Sequence, residues 1–208
     1  MKVSSHLSRF LKNCTENQKE IVLSYFEELT EEFKNKSIEI GERNCILHFM
    51  NEIEKKISSF IQNSQYNDLI QCKEGCSHCC YYQVEISYEE GLIILDEIEK
   101  SKIDIDWDRV EYLSKIEKEK WYQLPLEMRR CPLLGDEGQC LVYDKRPLTC
   151  RKHNVFSDPE FCRDRPNALV SGISNPMIEV LISAVMSNTR MSNLLPRQIL
   201  ICRENGLS

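Results

Sequence analysis

Cys72, Cys76, Cys79 and Cys80 fall within nine residues, in the stretch Q-C-K-E-G-C-S-H-C-C-Y-Y from Gln71 to Tyr82. Thiolates bind soft and borderline metals, and ligands two or three residues apart can reach one ion or one iron–sulfur cluster without long loop closures. Cys131, Cys140, Cys150 and Cys162 follow, so the pattern reads C-x3-C-x2-C-C and then gaps of 50, 8, 9 and 11 residues. These eight cysteines are the candidate metal ligands, enough for two four-thiolate sites. Adjacent side chains diverge along an extended or helical backbone. Cys79 and Cys80 are therefore expected to serve different sites, or one of them to be structural. Cys72, Cys76 and Cys79 would supply three ligands from one segment, and a fourth must cross from the later group. The spacing leaves open which late cysteine joins which early one.

The same donor set suits two kinds of metal. All-thiolate zinc in a closed site implies a structural role, whereas iron–sulfur clusters take the same ligands for redox work. The 50-residue gap and the Cys79-Cys80 pair are unlike the paired CxxC knuckles of zinc ribbons, which tilts the reading toward iron–sulfur. His78 and His153 are alternative ligands or proton-transfer groups, or plain hydrogen-bonded histidines. Arg146 and Arg151 flank Cys150, where guanidiniums would offset the negative charge of a thiolate site, or else pair with Asp136, Glu137 or Asp144. There is no Ser-His-Asp set, phosphate-cradling glycine loop or HExxH, so hydrolase, kinase and nucleotide-binding readings have no support. Catalytic residues are not assignable.

Several elements must position these groups. Between Thr15 and about Lys34, Ile21, Val22, Tyr25, Phe26, Leu29 and Phe33 recur at helical spacing, with Thr15 as the cap. From Arg43 to about Gln62 the pattern repeats in Ile46, Phe49, Met50, Ile53, Ile57, Phe60 and Ile61, after a turn at Gly41. The two helices are expected to pair antiparallel, with Cys45 in or beside the apolar stripe and Cys14 outside the metal set. Gln83 to Ile86 alternates like a short strand. Ser87-Tyr88-Glu89-Glu90 then forms a capping box that opens a helix at Tyr88 through Ile98. A further helix is expected over 106–122, carrying Trp107, Val110, Leu113 and Ile116, and both helices would cover the metal site. Over 123–165 Pro125, Pro132, Gly135, Gly138, Pro147 and Pro159 break every pattern, as in a segment organised by metal rather than by regular helices. Coordination can supply folding free energy there, about 10 kcal/mol for a structural zinc site. Asn175-Pro176 reads as N-cap and N1 of a closing helix, onto which Leu194, Ile199 and Leu200 would fold back. Cys202 reads as incidental.

The predicted fold is mainly α: helical N-terminal and C-terminal segments around a loop-rich, metal-organised cysteine cluster with at most a few short strands. Two parts are expected, residues 1–65 as a helical extension with a soft boundary and 66–208 as the cysteine-cluster metal-binding domain with its closing helix. The 208 residues, 41% hydrophobic, can bury a core. A net charge of −6 without a basic stripe argues against nucleic acid. No segment approaches the ~20 apolar residues of a membrane span, and charges interrupt the apolar run after Met1 before it could serve export. A cytoplasmic location follows as the expectation, and in that reducing compartment dense cysteines favour metal over disulfides. Oligomeric state is not readable.

The block from Cys72 to Cys80, C131-P-L-L, C140-L-V-Y-D-K-R-P-L-T-C150-R and Cys162 resembles a bacterial cysteine-cluster family of zinc- or iron-chelating domains. The resemblance spans about residues 70–165 and includes the strand and capped helix after Cys80 and the Tyr143, Arg146-Pro147, Cys150-Arg151 arrangement. Members are loosely labelled iron–sulfur oxidoreductases, and the pattern is similar to the cysteine-rich portion of much longer enzymes that N-methylate flagellin lysines. The resemblance implies an iron–sulfur cluster or zinc, and a redox or accessory enzyme acting on a protein or peptide substrate. The alternatives are a structural zinc-binding interaction module without catalysis and a lysine N-methylase-like, S-adenosylmethionine-dependent enzyme. C-x3-C-x2-C is also the pattern of radical S-adenosylmethionine enzymes. Ser77 stands where those usually carry an aromatic residue, and no series of strand–helix units is present for their partial barrel.

Overall fold

In the computed structural model of the chain, the described residues are 5–65, 67–72, 75–162, 170–172 and 175–206. The start of the apolar run at Met1 lies outside them.

Local capping signals set most helix starts. After the short α1 (Ser5–Leu11), α2 (Glu16–Ile40) begins at Thr15, whose side chain accepts from Gln18 N while Gln18 reaches back to the Thr15 amide. Gly41, at φ +81°, ends α2 and admits α3 (Glu42–Gln62). The stripe Val22, Phe26, Leu29 and Phe33 is buried against Ile46, Phe49, Met50, Ile53 and Ile57, with the Phe33 and Phe49 rings 5.6 Å apart. Ile21, expected on that stripe, is 56% exposed. One residue from Val22, it sits about 100° around the helix from the buried row. α2 also runs six residues past the expected end, because nothing before Gly41 breaks it.

Strand β1 (Glu85–Ser87) leads into α4 (Tyr88–Lys100) through the expected capping box: Glu90 N donates to Ser87 Oγ and Ser87 N to Glu90 Oε2. α5 (Trp107–Ser114) is shorter than expected, and Lys118–Gln123 forms a separate 3-10 turn. There the Trp121 indole donates to Tyr81 O at 3.2 Å, anchoring the turn to the cysteine segment instead of prolonging α5. The loop-rich segment contains only short pieces: 3-10 turns at Leu126–Arg129, Tyr143–Lys145 and Pro159–Cys162, and the four-residue α6 (Leu148–Arg151). α7 (Pro176–Ser187) starts at Asn175, which accepts from Met177 N. β2 (Ser192–Leu194) then pairs antiparallel with β1, Glu85 opposite Leu194 and Ser87 opposite Ser192.

α8 (Leu195–Gly206) packs on α4 and α5. The expected fold-back onto α7 is therefore corrected: β2 is tied to the strand that feeds α4, so the chain after it is delivered to that layer.

Two cores result. In the first, α7, buried on nearly every side, is wrapped by α1, α2 and α3, and Ile93 and Leu148 join it. The second gathers Ile94, Leu95, Ile98, Val110, Leu133, Val142, Leu195, Ile199 and Cys202. The fold is mainly α, with one two-stranded sheet among the described residues.

Candidate metal centre

Between and beside the two cores lies the cysteine region. Cys79 and Cys80 sit in a 3-10 turn, His78–Tyr81, where the neighbouring Cys80 thiol favours the protonated form of Cys79. Two loops close onto this turn. Cys131 N donates to Cys80 O at 2.8 Å, and a hairpin-like turn then brings Cys140 opposite Leu134. Gly138, at φ +82° in that turn, comes so close to the Cys76 loop that an added Cβ would meet Gly75 O at 3.3 Å. From the other side Gln71 N donates to Val155 O at 2.8 Å and Val155 N donates to Cys72 Sγ at 3.3 Å. Cys72 and Cys79 pack there on Cys162, Val155 and Tyr82.

The thiols act on one another in a definite pattern. Every pairing among Cys79, Cys131, Cys140 and Cys150 is electrostatically coupled. Cys72 is coupled instead to Cys76, Cys79 and Cys162. Cys79 belongs to both groups, joining Cys131, Cys140 and Cys150 in an inner quartet and Cys72, Cys76 and Cys162 in an outer one. Cys80 touches both through its neighbour and through Cys131. Seven of the eight candidates are half-buried and Cys162 is buried. Cys14, Cys45 and Cys202 lie elsewhere: Cys45 bonds Phe33 O, and Cys202 bonds Tyr88 O.

Burial pushes the Cys131 thiol up to about 12 and the Cys72 thiol up to about 11, with neighbouring sulfurs adding to both. Burial also raises Cys140 and Cys150, and the neighbouring Cys80 thiol is the largest cause holding Cys79 up. Against this, backbone N–H groups of Val155, Leu133 and Val142 point at the sulfurs of Cys72, Cys131 and Cys140 and favour their thiolates. A cation is what such a set lacks. Sulfur donors aimed together and already receiving amide hydrogen bonds fit a zinc ion or an iron–sulfur cluster, which would replace their protons. Among the described residues no three His, Cys, Asp or Glu side chains stand grouped tightly enough to hold a metal as they are. The region gathers the donors without closing a coordination sphere.

Residues 71–168 match the family model CxxCxxCC, described as "Putative zinc- or iron-chelating domain". This segment belongs to that cysteine-cluster family. All eight candidate cysteines lie within the match. No curated protein and no solved structure gives a significant match to the chain.

Two carboxylates that support the cysteine-cluster domain escaped sequence reasoning in this role. Glu90 caps α4 with one oxygen, and its other, Oε1, accepts from Leu148 N at 2.9 Å, at the start of the helix that carries Cys150. Only its capping part was legible. Glu54, on α3, receives Arg146 Nη2 at 3.1 and 3.2 Å and Arg151 Nη1 at 2.8 Å. The arginines' side chains thus pair with Glu54 and not with the carboxylates of Asp136, Glu137 or Asp144 that the alternative reading offered; Asp144 contributes its carbonyl, to Arg151 Nη2 at 2.7 Å. Arg146 also lies over the Tyr143 ring, 4.0 Å from its centroid. His153 stacks edge-on with Tyr82.

Proposed function

We propose that the eight cysteines form a metal–thiolate centre, with Cys79, Cys131, Cys140 and Cys150 as one four-thiolate site and Cys72, Cys76, Cys80 and Cys162 as the second. The observation that carries this reading is the convergence of the later loops on the Cys72–Cys80 segment, with Cys131 N on Cys80 O and Val155 N on Cys72 Sγ, which joins stretches up to 83 residues apart in sequence. We infer an iron–sulfur cluster as the occupant and a redox or accessory enzyme as the role, acting on a protein or peptide in the cytoplasm. The amide hydrogen bonds to sulfur support it, because such bonds are a device that tunes cluster potentials, and seven of the eight residues keep part of their surface exposed, where a partner could approach. Bound there, the group would supply one-electron chemistry. The chain's residues would hold it, and Arg146 and Arg151 would offset its charge. No helix among the described residues is long and apolar enough to cross a membrane.

Structural zinc is the second reading, favoured by the donor set itself: sulfur alone, with every proposed ligand supplied by the protein. Metal and sulfide analysis with absorption spectra of anaerobically purified protein decides. Iron with inorganic sulfide and visible thiolate-to-iron bands supports the redox reading, zinc alone selects the interaction module, and absence of both with oxidised thiols sinks the centre altogether.

A further inference from the structure

Glu54 lies outside the matched domain, yet it is the acceptor on which both arginines of the Cys150 loop converge. The geometry is a clamp. Arg146 gives Nη2 to both Glu54 oxygens; Arg151, whose side chain is only 5% exposed, gives Nη1 to Glu54, Nε to Arg146 O at 3.0 Å and Nη2 to Asp144 O. The two guanidiniums are thereby fixed against the loop between Cys140 and Cys150, and a carboxylate 92 and 97 residues away does the fixing. Two cations and one anion leave a net positive charge beside the sulfurs. A four-thiolate centre around a divalent metal carries a net negative one, so the clamp opposes charge with charge at the place where it accumulates.

Resting on the metal–thiolate reading above, we propose that Glu54 is a positioning residue for the centre: acting through Arg146 and Arg151, it holds the Cys140–Cys150 loop in register for metal and keeps two counter-charges beside it. Without the Glu54 carboxylate, Arg146 loses its ion pair and keeps Tyr143 as its side-chain partner. Arg151 keeps its two carbonyl partners but loses its ion pair. The helical segment in front of the domain thus takes part in metal retention.

The test compares Glu54→Gln, Glu54→Asp and, as a control on the same helix, Glu52→Gln, whose carboxylate pairs with Lys55 at the surface. Each purified holoprotein is followed by metal content, metal–thiolate absorption, rate of metal loss to a competing chelator, and far-ultraviolet circular dichroism. Glu54→Gln is expected to keep its helical signal and lose metal at least about tenfold faster than wild type, the scale of support around a metal site, with a shifted absorption band. Glu54→Asp, retaining the charge, should recover much of the difference, and Glu52→Gln should match wild type. Identical spectra and rates in Glu54→Gln and Glu52→Gln overturn the proposal. So does metal loss in Glu54→Gln that merely tracks a loss of helix. A wild-type protein that holds no metal refutes the centre itself, whereas a loaded wild type with an indifferent Glu54→Gln refutes only the clamp.

Discussion

The core around α7 and the region around Cys79 are built on opposite principles. Around α7, nineteen buried residues among those described, nearly all large and apolar, interlock, seventeen of them on α1, α2, α3 and α7 and the other two being Ile93 and Leu148, and each removes hydrophobic surface from water at about 25 cal/mol per Å². Around Cys79 the third apolar cluster has only Tyr82, Val155 and Cys162 buried. Main-chain hydrogen bonds, two salt-bridged arginines and the sulfurs make up the rest. The first region needs only its own side chains. The second leaves several thiols protonated by burial and one another, and a cation would convert that unfavourable crowding into coordination.

The strongest way to sharpen this contrast is to remove one sulfur. Cys150→Ala should abolish binding at the inner site and expose residues 123–162 to protease, because a structural metal–thiolate site contributes about 10 kcal/mol. Helices α1, α2, α3 and α7 should keep their circular dichroism. Metal stoichiometry with limited proteolysis reads both halves, and equal metal loss from Cys14→Ala or Cys202→Ala would break the division. Phe49→Ala, in the centre of the first core, should cost about 3–5 kcal/mol in urea unfolding without lowering metal per folded chain. A metal deficit there would mean that the two regions are not separable.

A subtler test sits in the second core. An added Cβ at Gly91 would come within 2.6 Å of Cys202 Sγ, so Gly91→Ala should destabilise by about 1–3 kcal/mol despite the better helix propensity of Ala. Cys202→Ala in the same chain should restore most of it. If the double variant is no better than Gly91→Ala, Cys202 is not the obstacle. The smallest effect concerns Glu89, a buried carboxyl with Arg190 Nε 3.8 Å away, which burial raises above its ordinary value. A raised folded-state pKa means stability that is full in acid and lost as pH climbs through that value. Glu89→Gln should therefore raise the Tm at pH 7 and lose its advantage below about pH 4. A gain that persists unchanged in acid would rule out ionisation as the cause.

Signals carried by residues within one turn of each other were legible in sequence. The Thr15 and Ser87 capping boxes and the Asn175-Pro176 start fall where spacing alone places them. The metal-binding character of the segment was legible as well, since thiol density needs no tertiary context. What was not legible depends on distant partners. α5 stops early because Trp121 is drawn to Tyr81, α8 turns to α4 and α5 because β2 pairs with β1, and Glu54 reads as one more polar position on α3 until Arg146 and Arg151 arrive beside it. The grouping of sulfurs around Cys79 belongs to the same class, because adjacent cysteines look equivalent until loops from 50 residues and more downstream select between them.

One carboxylate, Glu90, accepts the Ser87 and Leu148 amides with its two oxygens. The two amides open helices at opposite ends of the cysteine-cluster segment, and both would be orphans if that side chain turned away. Their hydrogens are thus guarded by a single rotamer. Although 61 residues separate them, a rotation of the Glu90 side chain frees the Ser87 and Leu148 amides at the same moment, and in deuterated water Glu90→Ala should speed the exchange of both.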